Sequence, residues 1–291
     1  MKYKKGILLA LSVCREQLRS EAGNTRVYLG YLLGICMALL KTCDYLRYCN
    51  GSSIQMFEPF ILILNDYTYS VFIMLGLLLI VVDSPFIDGH SIYIVVRSSR
   101  RNWYAGIMFS ILLQTVFYYG IIFLSTALFS IRTAYVQNSW SQSLYVLGTF
   151  QPASALEEYG LSFSGKDILA YLTPGCTFSL TFLLNALYSM FLIYAAFLIN
   201  LNGRWILGNV VAILIHLTGT VLVKSAYSLL IGKYSLLAHS QLVLHHITDA
   251  GVTDLYKSLL LFGGLLLIEF VLGTFLIKKA DFIIARGDKE T

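Results

Sequence analysis

The sequence predicts an all-α polytopic integral membrane protein, and three observations carry that reading. Of 291 residues, 57% are hydrophobic and only 13% are charged, about half the roughly 25% charge of soluble globular domains. Mean hydropathy is +0.71, which leaves more apolar side chains than soluble cores could hide. The charges also fall as punctuation between long apolar intervals, which marks the stretches able to lie in hydrocarbon. A hydrocarbon core of about 30 Å takes roughly 20 helical residues to cross, so six spans and their loops fill the chain. Residues 1–291 therefore read as a single transmembrane domain.

Residues 1–26 open with Lys2, Lys4 and Lys5 ahead of the apolar run Ile7 to Cys14. Leu-Ser-Val-Cys loosely resembles a lipoprotein cleavage site, but Arg15, Glu16 and Arg19 follow at once. Ile7, Leu11, Cys14 and Leu18 recur at helical spacing, which predicts an amphipathic helix in the cytoplasmic interface with Arg15 and Arg19 toward headgroups. The first span is expected at about 27–42, with Lys41 snorkelling outward. The second is expected at about 60–82, with Asn65 and Asp66 near one interface. After it, Pro85 and Gly89 break the helix, and Ile92, Val95 and Val96 precede the basic stretch Arg97, Arg100 and Arg101. That pattern predicts a short amphipathic cytoplasmic element, with Arg100, Arg101 and Trp103 as membrane anchors where the third span begins.

The third span, about 103–130, is long enough to tilt or project. Residues 130–177 are polar enough to leave the membrane, yet Trp140, Leu144 and Tyr145 suit an interfacial cap or re-entrant helix. The Pro174-Gly175 break starts the fourth span at about 178–199, and the fifth follows at 205–223. Between the fifth and sixth spans lie His239, His245, His246, Asp249 and Asp254. Adjacent His245 and His246 point in different directions on a helix and do not make a ligand pair, so no metal site is expected there. The sixth span, 259–277, carries Glu269 between Gly263, Gly264 and Gly273. An ionised carboxylate in mid-span costs about 3 kcal/mol or more, so Glu269 is a candidate for a transport pathway or for a hydrogen-bonded helix interface. His216 and Asn185 read as interhelical hydrogen-bonding groups.

Lys and Arg bias sets orientation. With the N-terminus cytoplasmic, fourteen basic residues lie on inside segments and seven outside, which predicts both termini inside. The net charge of +5 is small and gives no reason to expect nucleic acid as a partner. Cys43 and Cys49 fall outside together, as a disulfide or as two free thiols. GxxxxGK[ST], HExxH and GxSxG patterns are absent, so the chain has no recognisable ATPase, metalloprotease or serine-hydrolase signature. No catalytic residue, cofactor or enzymatic activity is expected.

In this organisation, with an interfacial helix before the first span and the Arg-Ser-Ser-Arg-Arg-Asn-Trp stretch after the second, the chain resembles the permease subunits of bacterial ABC-2 type exporters. The resemblance implies a multi-pass protein of a bacterial cell membrane. It also implies a separate nucleotide-binding ATPase subunit and a second permease subunit, identical or different, as partners within membrane lipid. A coupling helix would occupy Phe86 to Val96, with Phe86, Ile87, Asp88, Ile92 and Tyr93 docking on the ATPase. Apolar walls lean toward an amphipathic peptide, lipid or drug as cargo. A proton-coupled secondary transporter using Glu269 and His216 is the alternative, although no internal repeat supports it. A non-transporting immunity or sensor protein on the same scaffold is another.

Overall fold

The computed structural model of the chain describes residues 2–82, 99–201, 207–225, 234–245 and 254–279. The described residues are all-α in class, with a short two-residue parallel pairing between β1 (Ile54–Gln55) and β2 (Ala134–Tyr135). Among the described residues, five helices are long and apolar enough to cross a membrane: α2 (Thr25–Cys49), α5 (Arg100–Ser130), α9 (Pro174–Asn200), α10 (Leu207–Lys224) and α12 (Leu255–Lys279). A sixth candidate is broken. Helices α3 (Glu58–Leu64) and α4 (Tyr67–Val81) qualify only together and meet at 87°.

That bend has a local cause. The Asp66 carboxylate accepts from the backbone N–H groups of Thr68 and Tyr69 at 2.8 and 3.3 Å, so it caps α4 and restarts the helix in a new direction. All seven residues of α3 are buried. Phe57 and Phe60 pack there on Phe178 at ring separations of 4.7 and 5.0 Å, and Phe123 closes on the same ring at 4.8 Å. Helix α3 is thus a core piece wedged against α2, α5 and α9.

Helix α2 runs to Cys49, beyond the expected end near 42. Lys41 does not snorkel: it is 1% exposed and its ammonium reaches Asp66 at 2.6 Å. The ion pair is what lets α2 carry a lysine in a buried position. Cys43 and Cys49 are free thiols. Six residues apart on one helix, they are separated by about 9 Å of rise, too far for a disulfide.

Helices α2 and α4 touch backbone to backbone. A Cβ on Gly30 would stand 2.5 Å from the Gly76 carbonyl oxygen. The Tyr118 hydroxyl fills the space above Gly34 and Gly76 and donates to the Ile73 carbonyl at 2.8 Å. Helix α5, at 31 residues about 46 Å long, runs against α1, α2, α9 and α12.

Helix α1 (Lys2–Glu21) lies along α5. Val13 and the Ala10 carbonyl crowd Gly106, and Gln114 of α5 donates to the buried Glu21 carboxylate. The expected apolar stripe of α1 divides, with Cys14 buried and Ile7 and Leu11 exposed.

Residues 130–173 form a cap at one end of the bundle, made from α6 (Gln142–Phe150), α7 (Ala153–Tyr159) and α8 (Lys166–Tyr171). They have their own apolar core, in which Leu144, Leu147, Leu161 and Phe163 meet Tyr45 and Ile61 of α2 and α3. Trp140 ties the cap to the start of α9 by donating to the Leu172 carbonyl at 2.8 Å. Helix α9 begins at Pro174, where the fixed φ of proline and its missing N–H suit a first helical turn. Between α10 and α12, α11 (Leu236–Ser240) and a 3-10 turn at Leu242–Leu244 run beside α9.

Candidate functional site

The expected coupling residues Phe86, Ile87, Asp88, Ile92 and Tyr93 lie outside the described residues. The described chain resumes at Ser99, and α5 begins at Arg100. Arg100 donates from Nη1 to the carbonyls of Ile277 and Lys278 at 3.3 and 2.7 Å. Those carbonyls belong to the last turn of α12, where helix geometry leaves acceptors without intrahelical donors and where the dipole favours a cation. Arg101 is exposed. Trp103, expected as an interfacial anchor, is instead 2% exposed and packs 6.4 Å from the Phe197 ring of α9. Its position on α5 faces the bundle.

One residue on, Tyr104 joins the same three helices. Its ring lies 6.0 Å from Phe197 and 5.8 Å from Phe270, and its hydroxyl donates to the Glu269 backbone carbonyl at 3.4 Å. The hydroxyl occupies the space that a side chain at Gly273 would fill. Glu269 is 7% exposed, and its Oε2 has no hydrogen-bond partner. A buried acceptor without a donor is costly, which makes Glu269 the polar group of this joint that the fold itself does not satisfy.

A second polar centre lies deeper. His216 of α10 sits 3.2 Å from Ser70 Oγ of α4 and 3.0 Å from the Tyr188 hydroxyl of α9. Tyr119 and Ser189 pair at 2.7 Å between α5 and α9, and Asn185 donates to the Ser240 carbonyl at 3.3 Å. His216 and Asn185 are the interhelical groups anticipated from sequence. Ser70, Tyr188 and Ser189 gave no sequence signal, because single hydroxyls in apolar helices are common and only the third dimension brings them together.

At the cap end, two acidic residues organise the backbone. Glu58 is fully buried and accepts from the Tyr45 hydroxyl (2.8 Å), Gln55 N (3.1 Å), Ser141 N (2.7 Å) and Ser141 Oγ (2.7 Å). Lys41 donates to Asp66 and also to the Gly160 carbonyl at 2.9 Å, with its ammonium 4.7 Å from the Tyr69 ring centre. Asp66 was expected near an interface; it is the partner of a buried lysine.

Near the start of α12, Ser258 stands between two histidines, its Oγ 2.8 Å from His239 Nδ1 and 2.8 Å from His245 Nε2. His245 Nδ1 lies 2.9 Å from the Gln241 carbonyl, so Nδ1 carries the proton and Nε2 accepts. Burial lowers the His245 pKa to about 4, and neighbouring His239 adds to the effect. The unfolded chain therefore takes up a proton near the ordinary value of about 6.5 that the folded chain refuses until about 4. Stability should be full above roughly pH 6.5 and fall by up to roughly 3 kcal/mol on acidification toward pH 4. Thermal midpoints of the purified protein across that interval, compared with those of His245→Asn, test this. A midpoint with the same pH slope in both would refute the assignment.

No protein-family model, curated protein or solved structure matches this chain.

Proposed function

We propose that the chain is the permease subunit of an ATP-binding-cassette exporter of the ABC-2 type. It would be embedded in a bacterial cell membrane with both termini cytoplasmic. In this reading α1 lies in the interface with Ile7, Leu8 and Leu11 toward lipid, and α3 with α4 makes a sixth, broken span. A second permease chain completes the pathway, and ATP hydrolysis belongs to a separate subunit.

The observation that supports this reading best is the joint at Arg100. The segment proposed to dock on the ATPase, Phe86 to Val96, precedes α5 by a few residues in sequence, and α5 is tied at its start to the last turn of α12. A displacement of that segment would reach two spans at once, together with the Glu269 turn that Tyr104 holds. Rigid helices moving as bodies about a joint of this kind are an established route for switching transitions.

Replacing Phe86 and Ile87 together by Ala is expected to reduce co-purification of the ATPase subunit more than tenfold, as loss of two apolar anchors at an interface does, with unchanged folded yield. Replacing Arg100 by Gln is expected to lower folded yield instead, because two α12 carbonyls lose their donor. Undiminished ATPase recovery and transport from the Phe86/Ile87 double variant would refute the docking assignment. Absence of any ATPase that co-purifies would refute the permease reading.

A further inference from the structure

Beneath the cap is a cleft that the transport cycle proposed above does not use. Its volume is about 280 Å³, at the lower edge of the ~300–1,000 Å³ of small-ligand sites. It lies among α6, α7, the segment 161–164, the Asn65–Tyr67 corner and the 3-10 turn. Leu147, Leu161, Phe163 and Val243 supply apolar wall, and Leu156 stands at the rim, 59% exposed. No Asp, Glu, Lys or Arg side chain is among the described residues that line it.

Three amide side chains line this cleft; Gln151 is exposed, and the two buried ones, Asn65 and Gln241, differ in what they have left to give. Asn65 is committed: its Nδ2 donates to the Ile61 carbonyl at 2.9 Å and to Thr181 at 3.4 Å, while its Oδ1 accepts from Val243 N at 3.1 Å. Gln241 is 1% exposed, its backbone carbonyl is taken by His245, and its side-chain Nε2 has no partner. A buried donor left unpaired costs about 1–3 kcal/mol. The terminal torsion of a glutamine is broad, so a modest rotation turns that amide toward an occupant. Neutral walls also select against charge, since nothing there would compensate a desolvated carboxylate or ammonium.

We propose that this cleft is a binding site for an uncharged amphiphile of small-molecule size. Its apolar part lies against Leu147, Leu156 and Phe163, and its carbonyl oxygen accepts a hydrogen bond from Gln241 Nε2. The cleft is braced on both sides. Gly148 lets α6 close on Leu169 and Phe163, and Lys41 holds the end of α7 through the Gly160 carbonyl.

The test uses the full chain in lipid nanodiscs and a diazirine-bearing acyl amide as photolabel, with peptide mapping of the adducts. Saturable labelling of residues 147–164 and 241–244, competed by octanamide but not by octanoate or octylammonium, is the expected result. Gln241→Leu should weaken octanamide competition about tenfold, the effect of losing one hydrogen bond to a buried donor. Ala153→Trp, at an exposed position on the cleft wall, should abolish labelling without unfolding the cap. Three results would each overturn the proposal: labelling spread without saturation along α10 and α12, equal labelling of the Ala153→Trp variant, or competition by octanoate as strong as by octanamide. The outcome does not depend on whether an ATPase subunit binds, so it stands or falls apart from the permease reading.

Discussion

Replacing Lys41 by Met is expected to destabilise the protein by about 3–5 kcal/mol, the cost of leaving one partner of a buried ion pair behind. The ammonium makes two charge-assisted contacts, to Asp66 at 2.6 Å and to the Gly160 carbonyl at 2.9 Å, and faces Tyr69. Without it, Asp66 holds a carboxylate that is 10% exposed with only two backbone N–H groups as donors. Adding Asp66→Asn should recover most of the loss. An Asn side chain still caps α4, and removing both charges of a buried pair is often close to neutral. Thermal midpoints of the two variants, with the rate of proteolysis in residues 153–164, measure the effect. If single and double variants melt together, the ion pair is not what holds this corner.

The second large effect is expected at Glu58. One carboxylate takes four hydrogen bonds and so joins α2, the β1 segment, α3 and the residue that caps α6. Glu58→Ala leaves two buried backbone N–H groups without this acceptor and the fully buried Tyr45 hydroxyl with only Ser141 Oγ, at 3.2 Å. At about 1–3 kcal/mol for each buried unsatisfied group, a loss of about 4 kcal/mol or more follows. Glu58→Gln should cost roughly half as much, because its amide nitrogen turns two hydrogens toward groups that already donate. Tyr45→Phe removes a donor and leaves the carboxylate three others, so it should cost about 1 kcal/mol. The predicted signature is a cap that proteases open while helical circular dichroism is kept. Glu58→Ala with an unaltered melting profile would dismiss the carboxylate as the organiser of the cap.

How much of this was legible in sequence depended on the range of the interaction. Local signals worked: the Pro174-Gly175 break marks the start of α9, and the apolar intervals locate α5, α10 and α12 to within a few residues. Long-range pairing did not show. Lys41 read as a boundary charge because its partner lies 25 residues away, and Asp66 read as an interfacial residue for the same reason. The 87° corner was therefore absent from the expected second span, although an aspartate three residues ahead of Tyr69 is the kind of residue that caps a helix. Glu58 went unnoticed because its donors come from sites up to 83 residues distant. Trp103 shows the converse error, since an aromatic residue beside arginines suggests an interface and only helix rotation reveals that it faces α9.

The glycine contact between α2 and α4 bears on how lipid meets the bundle. With Gly30 against the Gly76 carbonyl and the Tyr118 ring seated over Gly34 and Gly76, no acyl chain fits between these helices. Parting them would withdraw the tyrosine hydroxyl from the Ile73 carbonyl and expose bare helix backbone to hydrocarbon, which has no hydrogen bond to offer in return. This seam behaves as a weld. If the bundle carries a lipid-borne molecule as proposed, its portal opens between a different pair of helices.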